Sequence, residues 1–109
     1  MLRGEVWLAD FSGCKGSEQG GTRPCVIVQN DIGNKYSPTT IVCPVTSQVK
    51  KFGATHVFVD YLPSPSYILS EQIRVLDKSR LVRCVGELTD STMKEVDRKL
   101  IVSLGLGGK

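Results

Sequence analysis

The sequence predicts a small, mainly β fold of the α+β class, in which a barrel of short strands is followed by a C-terminal helix. Short apolar runs recur between clusters of Gly, Pro, Asn and Asp, which is the pattern of a small barrel. Helical spacing of apolar residues is clear only in the final segment, at Met93, Val96, Leu100 and Leu104. The length of 109 residues predicts a single domain, residues 1–109, with a modest core.

Alternation and β-branched residues predict the strands in order along the chain. They span Glu5–Asp10, Pro24–Gln29, Thr39–Val45, Thr55–Val59, Tyr67–Leu69, Gln72–Leu76 and Leu81–Leu88. The connecting segments are predicted as loops or turns because they concentrate Gly, Pro, Asn, Asp and Ser. They are Phe11–Thr22, Asn30–Pro38, Lys50–Ala54, Leu62–Ser66 and Asp77–Arg80, of which the last is a turn or a single helical turn.

The predicted helix carries signals at both ends. Thr92 and Glu95 have the spacing of a capping box, although Asp90 is an equally good cap. Ile101 widens the apolar stripe, and Gly105 is placed to end the helix in a left-handed conformation.

Composition and charge exclude several classes of function. The net charge of +3 suits a local phosphate site better than an extended track along a duplex. No apolar run approaches the ~20 residues of a membrane helix. The first ten residues, MLRGEVWLAD, lack the apolar core of a signal peptide. We therefore expect a cytoplasmic protein without a membrane partner.

The cysteines and the histidine content argue against a metal site or a cofactor. Cys14, Cys25, Cys43 and Cys84 show no CxxC spacing, and His56 is the only histidine. Because Cys25 and Cys43 fall within apolar strands, we expect reduced, structural thiols there.

A Gly-rich loop that runs into an apolar strand is the most informative segment. Its three glycines permit close backbone approach. Pro24 fixes its own φ and keeps Arg23 extended, so the guanidinium emerges at a defined angle. A planar fork of donors beside hydroxyl groups favours a phosphate ligand.

Three motifs resemble those of the MazF/PemK family of toxin endoribonucleases. They are GSEQGGTRPCVIVQND at residues 16–31, CPVTS at 43–47 and SEQIRVLDKSRL at 70–81. The resemblance runs from Arg3 to about Leu106, nearly the whole chain. It implies an SH3-like, PemK-like barrel that forms a homodimer. It also implies a toxin of a type II toxin–antitoxin system that arrests growth by cutting single-stranded mRNA at specific sequences, neutralised by a small antitoxin with a disordered tail.

The implied reaction needs no metal. The 2′-hydroxyl attacks the adjacent phosphate, which leaves a 2′,3′-cyclic (or opened 3′) phosphate and a 5′-hydroxyl. A single histidine excludes a two-histidine mechanism. By resemblance Arg23 is the catalytic arginine, and because arginine side chains stay protonated in proteins, charge stabilisation is favoured over the general-acid role also implied. Thr46 is implied to hold the phosphate, and Glu18, the carboxylate within the loop, is the candidate base.

Further side chains are predicted to contact RNA or to organise the loop. They are Ser17, Gln19, Gln29, Pro24, Ser47, Phe11, Gln72 and Arg74. Phe11 is the candidate for base stacking. Gln72 and Arg74 would share one face of a strand near the substrate groove. The Lys50-Lys51-Phe52 segment combines charge with an aromatic ring and is a further candidate. Trp7 is assigned to core or dimer packing, and His56 is given no chemical role.

Two alternatives remain open at this point. A toxin of the same fold can poison DNA gyrase without catalysis, but it would not need the pair Arg23 and Thr46. A degenerate RNA-binding module would have lost catalytic residues, whereas Arg23, Thr46 and Glu18 are all present. Residues 48–54 and 60–66 are expected to set the cleavage sequence.

Overall fold

The computed structural model describes residues 1–13, 21–48 and 52–107. Its strands are β1 Glu5–Asp10, β2 Thr22–Ile27, β3 Thr39–Thr46, β4 His56–Val59, β5 Ser66–Leu69, β6 Arg74–Asp77 and β7 Leu81–Glu87. Its helices are α1 Asp31–Tyr36 and α2 Asp90–Leu104, with single 3-10 turns at Ser70–Gln72 and Lys78–Arg80.

The strands form one antiparallel arrangement in the order β4-β5-β3-β2-β1-β7. The long strand β3 organises it, because it pairs with β2 along one edge and with both β6 and β5 along the other. In the described part of the chain β4 and β7 do not pair, so the sheet is open. The mainly β fold with a C-terminal helix is confirmed, whereas a closed barrel is not an accurate description.

Successive residues of a strand point to opposite faces of the sheet, and each face carries an apolar core. One core contains Val6, Val26, Cys43 and Val45 together with Val96 of α2. On the opposite face lies a second core, which includes Ala9, Phe11, Cys25, Ile27, Val42 and Leu76. The pairs Val6↔Val26 and Val26↔Cys43 show how register carries one core across three strands.

Helix α2 lies against the first core through the N-terminal part of its apolar stripe. Val96 is fully buried, and Met93 and Leu100 are partly buried against the same cluster. Leu104 and Ile101 are exposed, so the predicted stripe leaves the core before the helix ends. Gly105 terminates the helix with φ of 69°, as predicted.

The N-terminal cap of α2 differs from both predicted caps. Thr89 is the cap residue, and its hydroxyl accepts a hydrogen bond from the Thr92 backbone N–H at 3.2 Å. The Tyr61 hydroxyl accepts from the Thr89 N–H at 3.0 Å and donates to Thr92 Oγ1 at 2.9 Å. Tyr61, a residue distant in sequence, therefore completes the cap.

Two further elements differ from the sequence predictions. The segment predicted as a turn at Asn30–Pro38 contains the helix α1, which Asn30 caps by accepting from the Gly33 N–H at 2.8 Å. The strand predicted at Gln72–Leu76 begins only at Arg74, because residues 70–72 form a 3-10 turn. None of the helices in the described ranges is long and apolar enough to cross a membrane.

Candidate active site

A cavity of about 300 Å³ lies where β2 and β3 separate. Their recorded pairing runs from Ile27↔Val42 to Cys25↔Pro44 and stops there. Beyond that point β2 stays paired with β1 and β3 pairs with β5. Pro24 and Pro44 lie at this point and cannot donate ladder hydrogen bonds, which accounts for the end of the ladder.

The separated ends of the two strands place Arg23 and Thr46 on the walls of this cavity. Arg23 lies two residues before Cys25 and Thr46 two residues after Pro44, which form the last pair of the β2–β3 ladder, so both lie beyond the point at which the strands separate. The full lining is Arg23, Pro24, Val45, Thr46, Ser47, Gln48, Ser64 and Ser66. Among these described residues the single formal charge is the Arg23 guanidinium, and the other polar side chains of the lining carry hydroxyl or amide groups. The cavity is therefore suited to an anion that accepts several hydrogen bonds.

Thr46 ends β3 in a defined orientation. Its hydroxyl oxygen accepts a hydrogen bond from the Gln48 backbone N–H at 3.1 Å. Because a threonine hydroxyl also carries one hydrogen, it can donate that hydrogen to a ligand while it accepts from Gln48. Cross-strand pairing with Tyr67 of β5 fixes the backbone on the other side.

The stem of the loop that precedes Arg23 is closed by backbone and side-chain contacts. The Phe11 N–H donates to the Gly21 carbonyl at 2.9 Å, and Gly21 has φ of 88°, a conformation that favours glycine. The Arg80 guanidinium donates to the carbonyls of Asp10 and Ser12 at 3.0 and 2.8 Å. The Ser12 hydroxyl and N–H both donate to the Asp10 carboxylate, and these bonds lower the pKa of Asp10. The start of the loop is therefore held in place.

Phe11 and Arg74, two residues predicted to contact RNA, contact each other in the structure. Phe11 is only 4% exposed, so its ring does not offer a face for base stacking in this structure. The Arg74 guanidinium lies over that ring, 5.0 Å from its centroid. The two side chains form a cation–π contact with each other. Their RNA-binding roles stay predictions and require this contact to open.

Gln29 and Gln72 lie apart from the cavity lining. The Gln29 amide donates to the Thr39 carbonyl at 3.0 Å and to Asn34 Oδ1 at 3.2 Å, so it joins β2 to α1. A contact of Gln29 with RNA or with the Gly-rich loop stays a prediction. Gln72 is exposed but ends a 3-10 turn, so it does not alternate with Arg74 on one strand.

Three predicted loop residues, Ser17, Glu18 and Gln19, lie outside the described residues, as do Lys50 and Lys51. Their roles stay predictions. Pro24 and Ser47, by contrast, line the cavity, and their contacts with RNA stay predictions. The motifs thus bring Arg23, Pro24, Thr46 and Ser47 to one place.

The sequence predicts no individual role for Ser64, Ser66 or Arg80. Ser64 and Ser66 fall within the 60–66 segment that was expected to influence specificity, but only the Thr46↔Tyr67 register shows that they reach the cavity. The Ser66 hydroxyl donates to the Ser64 carbonyl at 2.9 Å. Arg80 acts on carbonyls about 70 residues earlier, for which no local signal exists.

A second cavity of about 270 Å³ continues from the first and is mainly apolar. The two share Pro24, Val45, Ser64 and Ser66. Its other lining residues are Val6, Leu8, Leu62, Pro63, Arg83 and Val85. The joined surface therefore passes from a polar anion site to an apolar depression with one guanidinium at its margin.

The buried thiols of Cys25 and Cys43 form no disulfide bond, as the sequence predicts. Burial raises the pKa of Cys25 to about 12, with a smaller contribution from Cys43. Burial likewise raises the pKa of Cys43 to about 12. Both are free thiols, and Cys14 lies outside the described residues. Within the described ranges no cluster of three or more His, Cys, Asp or Glu side chains could hold a metal ion.

The fold and the cavity define a small β protein with an anion site built from one arginine and several hydroxyl groups. The chain belongs to the family of PemK-like, MazF-like toxins of type II toxin–antitoxin systems, whose model matches residues 2–104. The resemblance drawn from the three motifs is thereby confirmed.

Individual relatives agree with this assignment. The endoribonuclease MazF of Staphylococcus saprophyticus subsp. saprophyticus is 52% identical over 111 residues, covering 97% of this chain and 92% of that protein. The crystal structure of MazF from Deinococcus radiodurans superposes with a TM-score of 0.84 at 29% identity, covering 97% of each chain. A mycobacterial endoribonuclease in complex with its cognate antitoxin gives a TM-score of 0.79 at 27% identity, covering 100% of this chain and 97% of that one.

Proposed function

We propose that this chain is the toxin of a type II toxin–antitoxin pair and a metal-independent endoribonuclease that cuts single-stranded mRNA. The observation that carries the proposal is the cavity that Arg23 and Thr46 line together, where the β2–β3 ladder ends. The 52% identical relative carries the name endoribonuclease MazF, and this supports the same activity here.

The mechanism follows from the groups on the cavity walls. Attack of the 2′-hydroxyl on the neighbouring phosphate builds negative charge on the non-bridging oxygens. The Arg23 guanidinium neutralises that charge through a planar fork of donors. The Thr46 hydroxyl donates to the same phosphate while the Gln48 N–H fixes its orientation. Together they hold the phosphate in line for displacement of the 5′-oxygen.

The products of this reaction are a 2′,3′-cyclic (or opened 3′) phosphate and a 5′-hydroxyl. Glu18 is the proposed base that removes the 2′-hydroxyl proton, since it is the carboxylate of the loop that leads to Arg23. The departing 5′-oxygen takes a proton from solvent water, which gives the 5′-hydroxyl. Ser17, Gln19 and Ser47 are proposed to contact the substrate around the scissile phosphate. No step in this scheme uses a metal ion or a cofactor.

The proposed partners are single-stranded mRNA, a small antitoxin and a second copy of the chain in a cytoplasmic homodimer. The apolar cavity beside the anion site offers an apolar surface with Arg83 at its margin. An acidic and hydrophobic antitoxin tail fits that combination, and from there it would block access to Arg23. Among solved relatives, one endoribonuclease is described in complex with its cognate antitoxin.

Non-catalytic binding of DNA gyrase is the alternative, and the cavity argues against it. A toxin that only binds gyrase has no use for a guanidinium and an oriented hydroxyl that line one anion site. Gyrase supercoiling measured with the purified protein separates the two functions. Inhibition of supercoiling without RNA cleavage would favour the alternative.

The proposed reaction is tested by incubating the protein with a long single-stranded RNA in excess EDTA and analysing the ends of the fragments. We expect discrete cuts that carry a cyclic or 3′-phosphate and a 5′-hydroxyl. The same sequence annealed into a duplex is the control and should resist cleavage. Fragments with 5′-phosphates, or activity that disappears in EDTA, would refute the mechanism.

A further inference from the structure

An exposed aromatic cluster lies on the strands beside the proposed catalytic threonine. Phe58 of β4 is 49% exposed and Phe52, just before that strand, is 56% exposed. Both contact Tyr67 of β5, with ring centroids 5.2 Å away for Phe58 and 5.7 Å away for Phe52. Exposing two phenylalanine rings side by side is costly in water, which makes the cluster a candidate contact surface.

Strand register connects this cluster to the anion site. Thr46 pairs with Tyr67, and Tyr67 pairs with Phe58. Directly paired residues point to the same face of a sheet, so the three side chains form one row across β3, β5 and β4. With strands about 4.8 Å apart, the row ends about 10 Å from Thr46. That is within reach of nucleotides close to a phosphate bound at Thr46.

The position of Phe52 is fixed by a hydrogen-bonded anchor. The Gly53 N–H donates to His56 Nδ1 at 2.9 Å. On its other side the ring nitrogen Nε2 lies 3.2 Å from a Glu71 carboxylate oxygen, and Thr55 donates to the second oxygen at 2.8 Å. Partial burial opposes ionisation of Glu71, but these bonds outweigh it and lower its pKa. The Glu71 carboxylate is thus hydrogen-bonded to Thr55 and His56.

The orientations of the rings suit stacking on their outer faces. The Phe52 and Phe58 rings are tilted by 55° and 52° to the Tyr67 ring, so the three do not cover one another face to face. Single-stranded RNA binds proteins by stacking unpaired bases on aromatic rings of this kind. Stacking tolerates any base, so the row would add affinity more than sequence choice.

We infer that Phe58 and Phe52, supported by Tyr67, form a base-stacking subsite for nucleotides next to the scissile phosphate. The inference rests on the proposed function because it takes Thr46 as the position of that phosphate. RNA is favoured as the occupant since the row is continuous in register with Thr46. The subsite extends the substrate groove across β5 to β4.

The test combines Phe58→Ala and Phe52→Ala with a matched control, Tyr36→Ala, which removes a ring that is 74% exposed on α1. Cleavage is measured on an RNA that contains the mapped cut site and on versions shortened one nucleotide at a time from each end. We expect each cluster variant to raise KM about 5-fold or more on the long RNA with kcat unchanged. On shortened RNAs that no longer reach the aromatic cluster, the cluster variants and the wild-type protein should have equal KM. Phe58→Trp, which keeps an aromatic ring, should have a KM on the long RNA close to that of the wild type.

Binding of an uncleavable 2′-O-methyl RNA separates failure of this inference from failure of the catalytic proposal. Weaker binding by both cluster variants, with Tyr36→Ala unchanged, supports the subsite even if no cleavage is detected. Equal Kd and KM for wild type and the cluster variants would overturn the inference and leave the catalytic proposal intact. Unchanged RNA binding with weakened antitoxin binding would also overturn it and assign the row to a protein partner.

Discussion

At the scale of single residues, the proposed active site depends on two side chains, Arg23 and Thr46, whose backbones are held in different ways. Pro24 keeps Arg23 extended at the start of β2, and Thr46 is the last residue of β3. Each side chain is therefore fixed by the backbone of a strand on at least one side. Catalytic groups held by strands are positioned more accurately than groups carried on loops alone.

The role of Thr46 is tested by comparing Thr46→Val with Thr46→Ser. Valine keeps the shape and the β-propensity but removes the hydroxyl, so we expect kcat to fall roughly 10²–10³-fold, as for the loss of one preorganised donor. Serine keeps the hydroxyl and its bond from Gln48, and should stay within about 10-fold of wild type. Single-turnover rates measure both. Equal activity of the valine and serine variants would show that the hydroxyl does not act on the phosphate.

At the scale of elements, the sequence predicts the strands well and the short helix α1 poorly. The strands carry β-branched runs with a period of two, which is a local signal. Helix α1 has only six residues, with Gly33 in its interior, and it lacks a helical apolar stripe. It is held by its caps, because Asn30 binds its first turn and Lys78 donates to the carbonyls of Asn34 and Ser37. Lys78 belongs to a 3-10 turn that is distant in sequence, so no local pattern predicts the helix.

The candidate site, like helix α1, can be predicted from local sequence only in part. Its motif residues Arg23 and Thr46 were accessible from the sequence, because they lie in segments that resemble a known family. The contributions of Ser66 and Arg80 depend on strand register and on long-range hydrogen bonds. The sequence does not predict the burial of Phe11, because Phe11 follows β1 and is assigned to a loop. In the structure the second core extends beyond β1 and includes it.

The cap of α2 gives a prediction at this scale. Thr89→Ala removes the hydroxyl that accepts from the Thr92 N–H, and we expect it to lower the free energy of unfolding by about 1 kcal/mol. Thr89→Ser keeps the acceptor and should cost clearly less. Urea denaturation at neutral pH measures both variants. A serine variant as unstable as the alanine variant would mean that the methyl group, and not the cap, is responsible.

At the scale of the whole molecule, two apolar cores on opposite faces of one open sheet leave little freedom for the strands between them. Strands β2 and β3 contribute to both cores, so their separation at Pro24 and Pro44 occurs within a rigid frame. The anion cavity is thereby preorganised by the fold. A preformed cavity lowers the cost of binding a phosphate in the reactive geometry.

Because the Cys25 and Cys43 thiols are buried, we expect the free energy of unfolding to fall at alkaline pH. Unfolded cysteines ionise near 9, whereas Cys25 and Cys43 ionise only near 12 when folded. The unfolded state loses protons first, so their contribution to stability is complete below pH 9 and declines between 9 and 12. We expect the double variant Cys25→Ala/Cys43→Ala to be less stable at neutral pH but to lose less stability as pH rises. Urea unfolding from neutral pH to about 10 tests this, and parallel curves for the two proteins would contradict it.

The central claim is that Arg23, which lines one cavity with Thr46 where β2 and β3 separate, makes this chain a metal-free ribonuclease. Single-turnover cleavage of a mapped single-stranded RNA in excess EDTA, by wild type and by Arg23→Ala, tests it most directly. Urea unfolding should first show equal stability, since Arg23 is exposed. We predict efficient cutting by wild type and a rate at least about 10³-fold lower for the variant. A variant that cuts within a few-fold of wild type, or a folded wild type that does not cut at all, would contradict the claim.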